Sequence, residues 1–305
     1  MTSFLIKRLL HGLAVLWVIT TLTFVLLRLA PGGPFDRERK LPPEVLANIE
    51  VKYHLDEPLF SQYLRYLTAI LRADLGPSYK YLDRGVNDII ADTLPTSALL
   101  GLLAMVFVCL VSFPAGLTAA YFRDSWLDRS SVLAATLGIS VPHFVLGALL
   151  IWLFALQLGW LQAGRWDNLS SVILPTVTLG AAPAAYIAAL LRAALIETLG
   201  EDFVRTARAK GLQERAVLFK HALRHSLLPV LTVLGPLTAA LLTGSFVVEY
   251  VFAIPGMGRF FITAVTDRDY PLIMGVTLVY AALLVAANFL VDLLYSYVDP
   301  RIRAY

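Results

Sequence analysis

Six stretches of the chain, 9–30, 97–121, 132–161, 172–191, 227–248 and 271–298, are long, apolar and almost free of charge. Of 25 Lys and Arg and 22 Asp and Glu residues, only Arg28 and Asp292 fall inside them. A helix pairs its own backbone groups where no water is available, and about 20 apolar residues of it cross about 30 Å of hydrocarbon. Each stretch therefore predicts a transmembrane helix. Composition agrees, with 58% apolar and 15% charged residues, against a charged share of about 25% in ordinary soluble domains. Lys7 and Arg8 before the first stretch also suit a signal peptide, but its apolar core is long and no A-x-A-like site follows before Arg28, so it is read as a retained helix. Cys109 is the single cysteine, which excludes a disulfide framework and a cysteine metal site. A net charge of +3 gives no bulk-charge reason to expect nucleic acid as a partner.

Lys and Arg in short connections stay on the cytoplasmic side. With the N-terminus inside, the inner segments carry 13 of them and the short outer loops three, Arg165, Arg259 and Arg268. Both termini are therefore placed in the cytoplasm. The outer connection 31–96 is too long for that rule, yet it is patterned. Residues 58–72 place Phe60, Tyr63, Leu64, Leu67, Ile70 and Leu71 at helical spacing after Asp56-Glu57-Pro58, and 43–53 groups Val45, Leu46, Ile49 and Tyr53 in the same way. A small helical subdomain outside the membrane is expected, serving either as a lid on the helix tops or as a docking surface. The chain accordingly divides into an N-terminal segment and first span (1–30), this extracytoplasmic loop (31–96) and a core of five further spans (97–305).

The inner connection 197–226 carries the most information. Asp202 opens a short helical run through Arg205, Thr206, Ala207 and Lys210 that Gly211 stops, because glycine takes the positive φ of a helix end. A second helix, 214–225, gathers Ala216, Phe219, Ala222 and Leu223 on one side and Glu214, Lys220, His221, Arg224 and His225 on the other. It is expected to lie outside the bilayer. Anionic lipid would suit its basic face, and positive-inside topology alone would place basic residues there. The helix–glycine–helix layout, with six basic and four acidic residues, favours a groove on a protein partner.

These residues carry a family resemblance. Thr206-Ala207-x3-Gly211, continuing through Lys220-His221-Ala222-Leu223-Arg224 to Leu228-Pro229, resembles the cytoplasmic coupling loop of binding-protein-dependent ABC-transporter permeases. The form beginning Arg205-Thr206-Ala207 is similar to the peptide branch, where the wider family begins Glu-Ala-Ala, so an acidic contact does not transfer to this position. Supporting stretches are Arg28-Leu29-Ala30-Pro31-Gly32, Tyr53-His54-Leu55-Asp56-x-Pro58, Asp74-Leu75-Gly76-x-Ser78, Val248-Glu249-x2-Phe252-x-Ile254-Pro255-Gly256-x-Gly258 and Asp299-Pro300-Arg301. Pro34-Phe35 with Leu41-Pro42-Pro43-Glu44-Val45 looks like the B-type subunit of oligopeptide importers. The resemblance implies an all-α, type I ABC importer permease fold in a bacterial inner membrane. It implies a homologous second permease, two cytoplasmic ATPase subunits that bind ATP and Mg, and an extracytoplasmic peptide-binding protein. The coupling residues it marks are Arg205, Thr206, Ala207, Lys210, Gly211, Lys220, His221, Arg224 and Pro229. A dipeptide- or nickel-type permease is the alternative within the family.

No Gly is followed by Lys, so the chain has no phosphate loop of its own and no cofactor is expected in it. His221 and His225 have the spacing of a zinc-peptidase helix, but Ala222 stands where the general base belongs and Arg224 repels a cation. His143, deep in the third stretch, reads as a packed or hydrogen-bonded side chain. An ion-coupled carrier is the rival class; it needs ionisable groups along its path, and Arg28 and Asp292 are a poor supply. Arg28 is expected to reach the outer headgroups by snorkelling. Prolines 114, 142, 175, 183 and 236 and the glycines near them suit helices that line a wet passage, without marking a substrate pocket.

Overall fold

The structure is a computed structural model that describes residues 2–35, 51–81 and 83–298. Among these, five helical stretches are long and apolar enough to cross a membrane: Ile6–Leu29, Val86–Tyr121, Leu169–Leu199, Glu214–Val251 and Tyr270–Leu290. The third predicted span is broken. Its two halves, Trp126–Ser140 and His143–Gln157, meet at 108°, so 132–161 is not one straight helix. The cause lies in Val141-Pro142. Proline forces the preceding residue out of helical geometry, and Val141 is extended at φ −86° and ψ 120°. Counting that pair as one crossing restores six.

Contacts divide the chain into two compact units, residues 1–96 with 255–305 and residues 97–254. The first contains helix α1 (Thr2–Leu29), α2 (Leu59–Leu71), the start of α3 (Val86–Tyr121), α11 (Met257–Asp267) and α12 (Tyr270–Val298). Here α1 packs along α12. The connection between α2 and α3 is fastened to α12 by a carboxylate. Asp269, fully buried, caps α12 by accepting from the Leu272 amide at 3.3 Å. It also accepts from the Ser78 hydroxyl and from the amide of Tyr79 at 3.1 Å. The Asp74-Leu75-Gly76-x-Ser78 stretch thereby acquires a purpose: Asp74 accepts from the Gly76 amide at 2.9 Å, Asn87 from the Leu75 amide at 2.8 Å, and Ser78 reaches Asp269.

Helix α2 forms where expected, but its apolar residues divide. Gln62 is buried, and Tyr63, Tyr66, Leu67 and Ile70 turn partly inward, whereas Phe60 (70%) and Leu71 (86%) are exposed. The predicted helix at 43–53 falls largely within 36–50, outside the described residues. At the end of α1, Arg28 is held by protein groups. Its Nε and Nη2 donate to Gln62 Oε1 at 3.2 and 2.7 Å, and the guanidinium lies 4.8 and 5.1 Å from the Phe24 and Tyr270 ring centres.

The second unit holds the remainder of α3 with α4 (Trp126–Ser140), α5 (His143–Leu150), a π-helical turn at Ile151–Gln157, α6 (Leu169–Leu199), α7 (Asp202–Ala209), α8 (Glu214–Ala216), a π-helical segment at Val217–Ala222, α9 (Leu223–Leu242) and α10 (Phe246–Val251). Helix α6 is the hub, packed against α4, α5 and α9. Its Leu174, Leu179, Ile187 and Leu191 meet Leu100, Ala104, Val108 and Val230 in one buried cluster. At Gly101 a Cβ would fall within the Leu241 backbone, so that residue sets how closely α3 and α9 approach; without a hydrophobic drive in lipid, such close packing supplies the contact energy. His143 is the hydrogen-bonded histidine the sequence suggests, with Nδ1 3.1 Å from the Thr178 carbonyl.

Asp269→Ala leaves the Ser78 hydroxyl and two amides without their acceptor, at a cost of about 2–3 kcal/mol. The 78–81 segment is then expected to become cleavable by protease added outside right-side-out vesicles; protection equal to that of the unaltered protein would refute the clamp.

Candidate functional site

The segment joining α6 to α9 is built from its helix ends. Helix α7 begins with Asp202 and ends with Arg208 in its last turn, charges that suit the two ends of the helix dipole. It stops in a Schellman motif: the Gly211 amide donates to the Arg208 carbonyl at 2.9 Å and the Leu212 amide to that of Ala207 at 3.4 Å. Gly211 sits at φ +75° with nothing within 4 Å of where a Cβ would stand. The demand on this residue is thus conformational, since space is ample. Arg208 Nε then bridges the turn to Glu214 at 2.8 Å.

Only one face of this segment is buried. Val204 and Ala207 of α7 and Val217, Leu218 and Ala222 of the following helix close on Leu195 and Ala120. Ser226 donates to the Thr198 hydroxyl at 3.0 Å and ties the foot of α9 to the end of α6. The sequence pattern places Phe219 on the buried side, with Val217 as a misfit; in the structure Val217 is fully buried and Phe219 is 54% exposed. The π-helical turn at Val217–Ala222 explains the difference, because i→i+5 bonding widens the turn and rotates the residues after it away from a 3.6-residue period. Nor is 214–225 a separate helix. It continues into α9 and forms one stretch, Glu214–Val251, with the fifth span, there being no Gly or Pro between Gly211 and Pro229 to stop it.

Of the nine sequence-selected residues, Arg205, Thr206, Lys210, Gly211, Lys220 and Arg224 are exposed, His221 is half-buried, and Ala207 is buried in the supporting core. Pro229 is exposed within α9, beyond the foot of the segment. Two residues that charge patterning passes over join the exposed set: Phe203, whose ring centre lies 4.9 Å from that of His225, and Leu212. The site is a basic surface studded with Phe203, Leu212 and Phe219 and held from beneath by small and aliphatic side chains.

Nearby, Arg192 near the foot of α6 forks onto Asp128 in the first turn of α4, at 2.5 and 2.8 Å. The Asp128 side chain is almost wholly enclosed, and Ser125 caps the same turn. In sequence Arg192 counts only as an inner positive charge. An acidic residue in the first turn of a helix, with a lone cation at the inner end of another span, is the available signal. Removing either partner strands a charge, so Arg192→Ala or Asp128→Ala is expected to cost about 3 kcal/mol while the double variant costs less than the two singles added. Thermal unfolding in detergent measures this, and strict additivity would contradict the pairing.

Comparison with known proteins gives a consistent result. The model of the binding-protein-dependent transport system inner membrane component matches residues 112–304, and its N-terminal counterpart matches 1–101. The chain is 45% identical over 305 residues to the oligopeptide transport system permease protein OppB of Haemophilus influenzae, with 99% of this chain and 100% of the relative covered. It is 46% identical to the dipeptide transport system permease protein DppB of Bacillus subtilis, with coverage of 99% and 98%. To OppB of Salmonella typhimurium it is 43% identical, with coverage of 99% and 100%. Among solved structures, the MetNI methionine ABC transporter in inward-facing conformations is similar at TM-score 0.53 and 19% identity, covering 69% of this chain and 96% of that one. A crystal structure of an amino acid ABC transporter with histidines gives the same score and identity, covering 68% and 93%. At such identities the likeness concerns the fold.

Proposed function

Because the chain belongs to the family of binding-protein-dependent inner-membrane transport components, we propose that it is the permease subunit of an ATP-driven peptide importer and forms half of the translocation path with a homologous second permease. The full-length similarity to oligopeptide and dipeptide permeases, above 40% identity from end to end, carries this reading. Identity alone does not separate the two peptide classes; the Leu41-Pro42-Pro43-Glu44-Val45 stretch inclines the assignment to oligopeptides. An extracytoplasmic binding protein delivers the peptide, and two cytoplasmic ATPases bind ATP and Mg.

In this reading, the exposed face of 202–225 seats in a groove of an ATPase subunit. Phe203, Leu212 and Phe219 supply apolar anchors, and Arg205, Lys210, Lys220 and Arg224 a basic rim, the division of labour usual at protein interfaces. The buried face, Val204, Ala207, Val217, Leu218 and Ala222, makes the element rigid. Movement of the groove is therefore delivered to α6 and α9 without being lost in a loose loop, and a central site faces one side of the membrane at a time as the halves rock.

Gly211→Val places a β-branched residue at positive φ, a strain of about 1–2 kcal/mol. The variant is expected to remain in the membrane and to import peptide about tenfold more slowly per ATP hydrolysed. Uptake and hydrolysis measured together in proteoliposomes check this, and unchanged coupling would count against the coupling role. Phe219→Asp, at an exposed position, is expected to abolish co-purification of the ATPases with the permease; full retention would remove Phe219 from the interface. Competition of uptake by peptides of two and six residues decides between the peptide classes.

A further inference from the structure

We propose that the outer end of α1 holds an anionic phospholipid, with its phosphate on Arg28 and an acyl chain in the groove between α1 and α2. Among the described residues the guanidinium has no counter-ion. Its partners there are the Gln62 amide oxygen and the Phe24 and Tyr270 rings, none of them a carboxylate. Gln62 is itself locked for this task, since its Nε2 donates to the carbonyls of Leu55 at 3.1 Å and Glu57 at 2.8 Å, which turns its oxygen toward Arg28. Among the described residues Arg28 Nη1 is buried without a hydrogen-bond partner, and so is the Tyr66 hydroxyl. Both residues line one cavity of about 340 Å³ that also contains Lys52 and Tyr79. The two phenols do not supply the missing charge: burial pushes the Tyr79 hydroxyl up to about 12 and raises that of Tyr66 as well. A positive site so placed has an edge of its fork free for an oxyanion.

The neighbourhood identifies which oxyanion. Arg28 is shared with a second hollow, a groove of about 300 Å³ lined by Val25, Leu29, Leu59, Phe60 and Tyr63. Its walls expose large apolar side chains, Leu29 at 74% and Phe60 at 70%, and it opens at the end of the Ile6–Leu29 span, the level at which headgroups meet acyl chains. A soluble carboxylate or phosphate would use Arg28 and leave these walls wet. A phospholipid satisfies both, and a net negative headgroup suits Arg28 and Lys52 better than a zwitterionic one.

The test uses the full-length permease in its purified membrane complex, held in phosphatidylcholine nanodiscs with a minority of phosphatidylglycerol. Native mass spectrometry reads the ratio of the two lipids retained. Phosphatidylglycerol is expected to be enriched over its share of the bilayer. The enrichment is expected to fall about fivefold in Arg28→Gln. A like fall is expected in Phe60→Glu, whose exposed position carries no packing that folding needs. Arg72→Gln, an exposed cation at the far end of α2, is expected to leave it unchanged. No enrichment in the unaltered protein, or enrichment that survives Phe60→Glu, overturns the proposal. So does equal loss in Arg72→Gln, which would mean diffuse attraction. Displacement of the lipid by added inorganic phosphate or by a dipeptide would assign Arg28 to a soluble anion and also overturns it.

Discussion

Hydrocarbon offers the backbone no partner, and that single shortage arranges this molecule. Every N–H and C=O inside the membrane must be answered within its own helix or by a neighbour. Irregular backbone accordingly falls at ends and interruptions such as the Schellman turn at Gly211, the Asp269 clamp and the break at Pro142. Cohesion between helices then comes from close contact, and α6 supplies it by packing against three neighbours around Leu174, Leu179, Ile187 and Leu191.

In the proposed function, the element under α6 and α9 is the part that carries motion. Its inner face is small and aliphatic, and so presses tightly on Leu195 and Ala120. Its outer face mixes cations with exposed Phe203, Leu212 and Phe219. Stiffness within and adhesiveness without are what a transmission part needs, and the Arg192–Asp128 fork braces α6 against α4. At the outer end of α1, Arg28 is held by the oriented Gln62 amide and two aromatic rings.

Much of this is legible in the amino-acid sequence. The spans are visible because apolar runs free of charge have few other uses, and α2 because its Asp56-Glu57-Pro58 start and its spacing agree. Gly211 is legible as well, since a glycine after a short polar helix has a mechanical reason to be there. What escapes such reading has physical causes. A periodic pattern assumes 3.6 residues per turn, and the π-helical segment at Val217–Ala222 breaks that assumption, exchanging Phe219 for Val217 on the buried face. The 108° bend at Pro142 is hidden in an unbroken apolar run, because proline marks a weak point without stating the angle. The Asp128–Arg192 and Ser78–Asp269 contacts join residues 64 and 191 positions apart, beyond the reach of any local pattern. Gln62 escapes notice as the partner of Arg28 because it lies 34 positions away, across a loop.

In the proposed function, the exposed face of 202–225 is seated against a separate ATP-hydrolysing subunit. Photocrosslinking from an unnatural residue at position 212, in membranes of cells expressing the whole system, measures this most directly. A single product with the summed mass of the permease and an ATPase is expected, changing in yield when hydrolysis is blocked. Products with lipid alone, or none in membranes that import peptide normally, would contradict it.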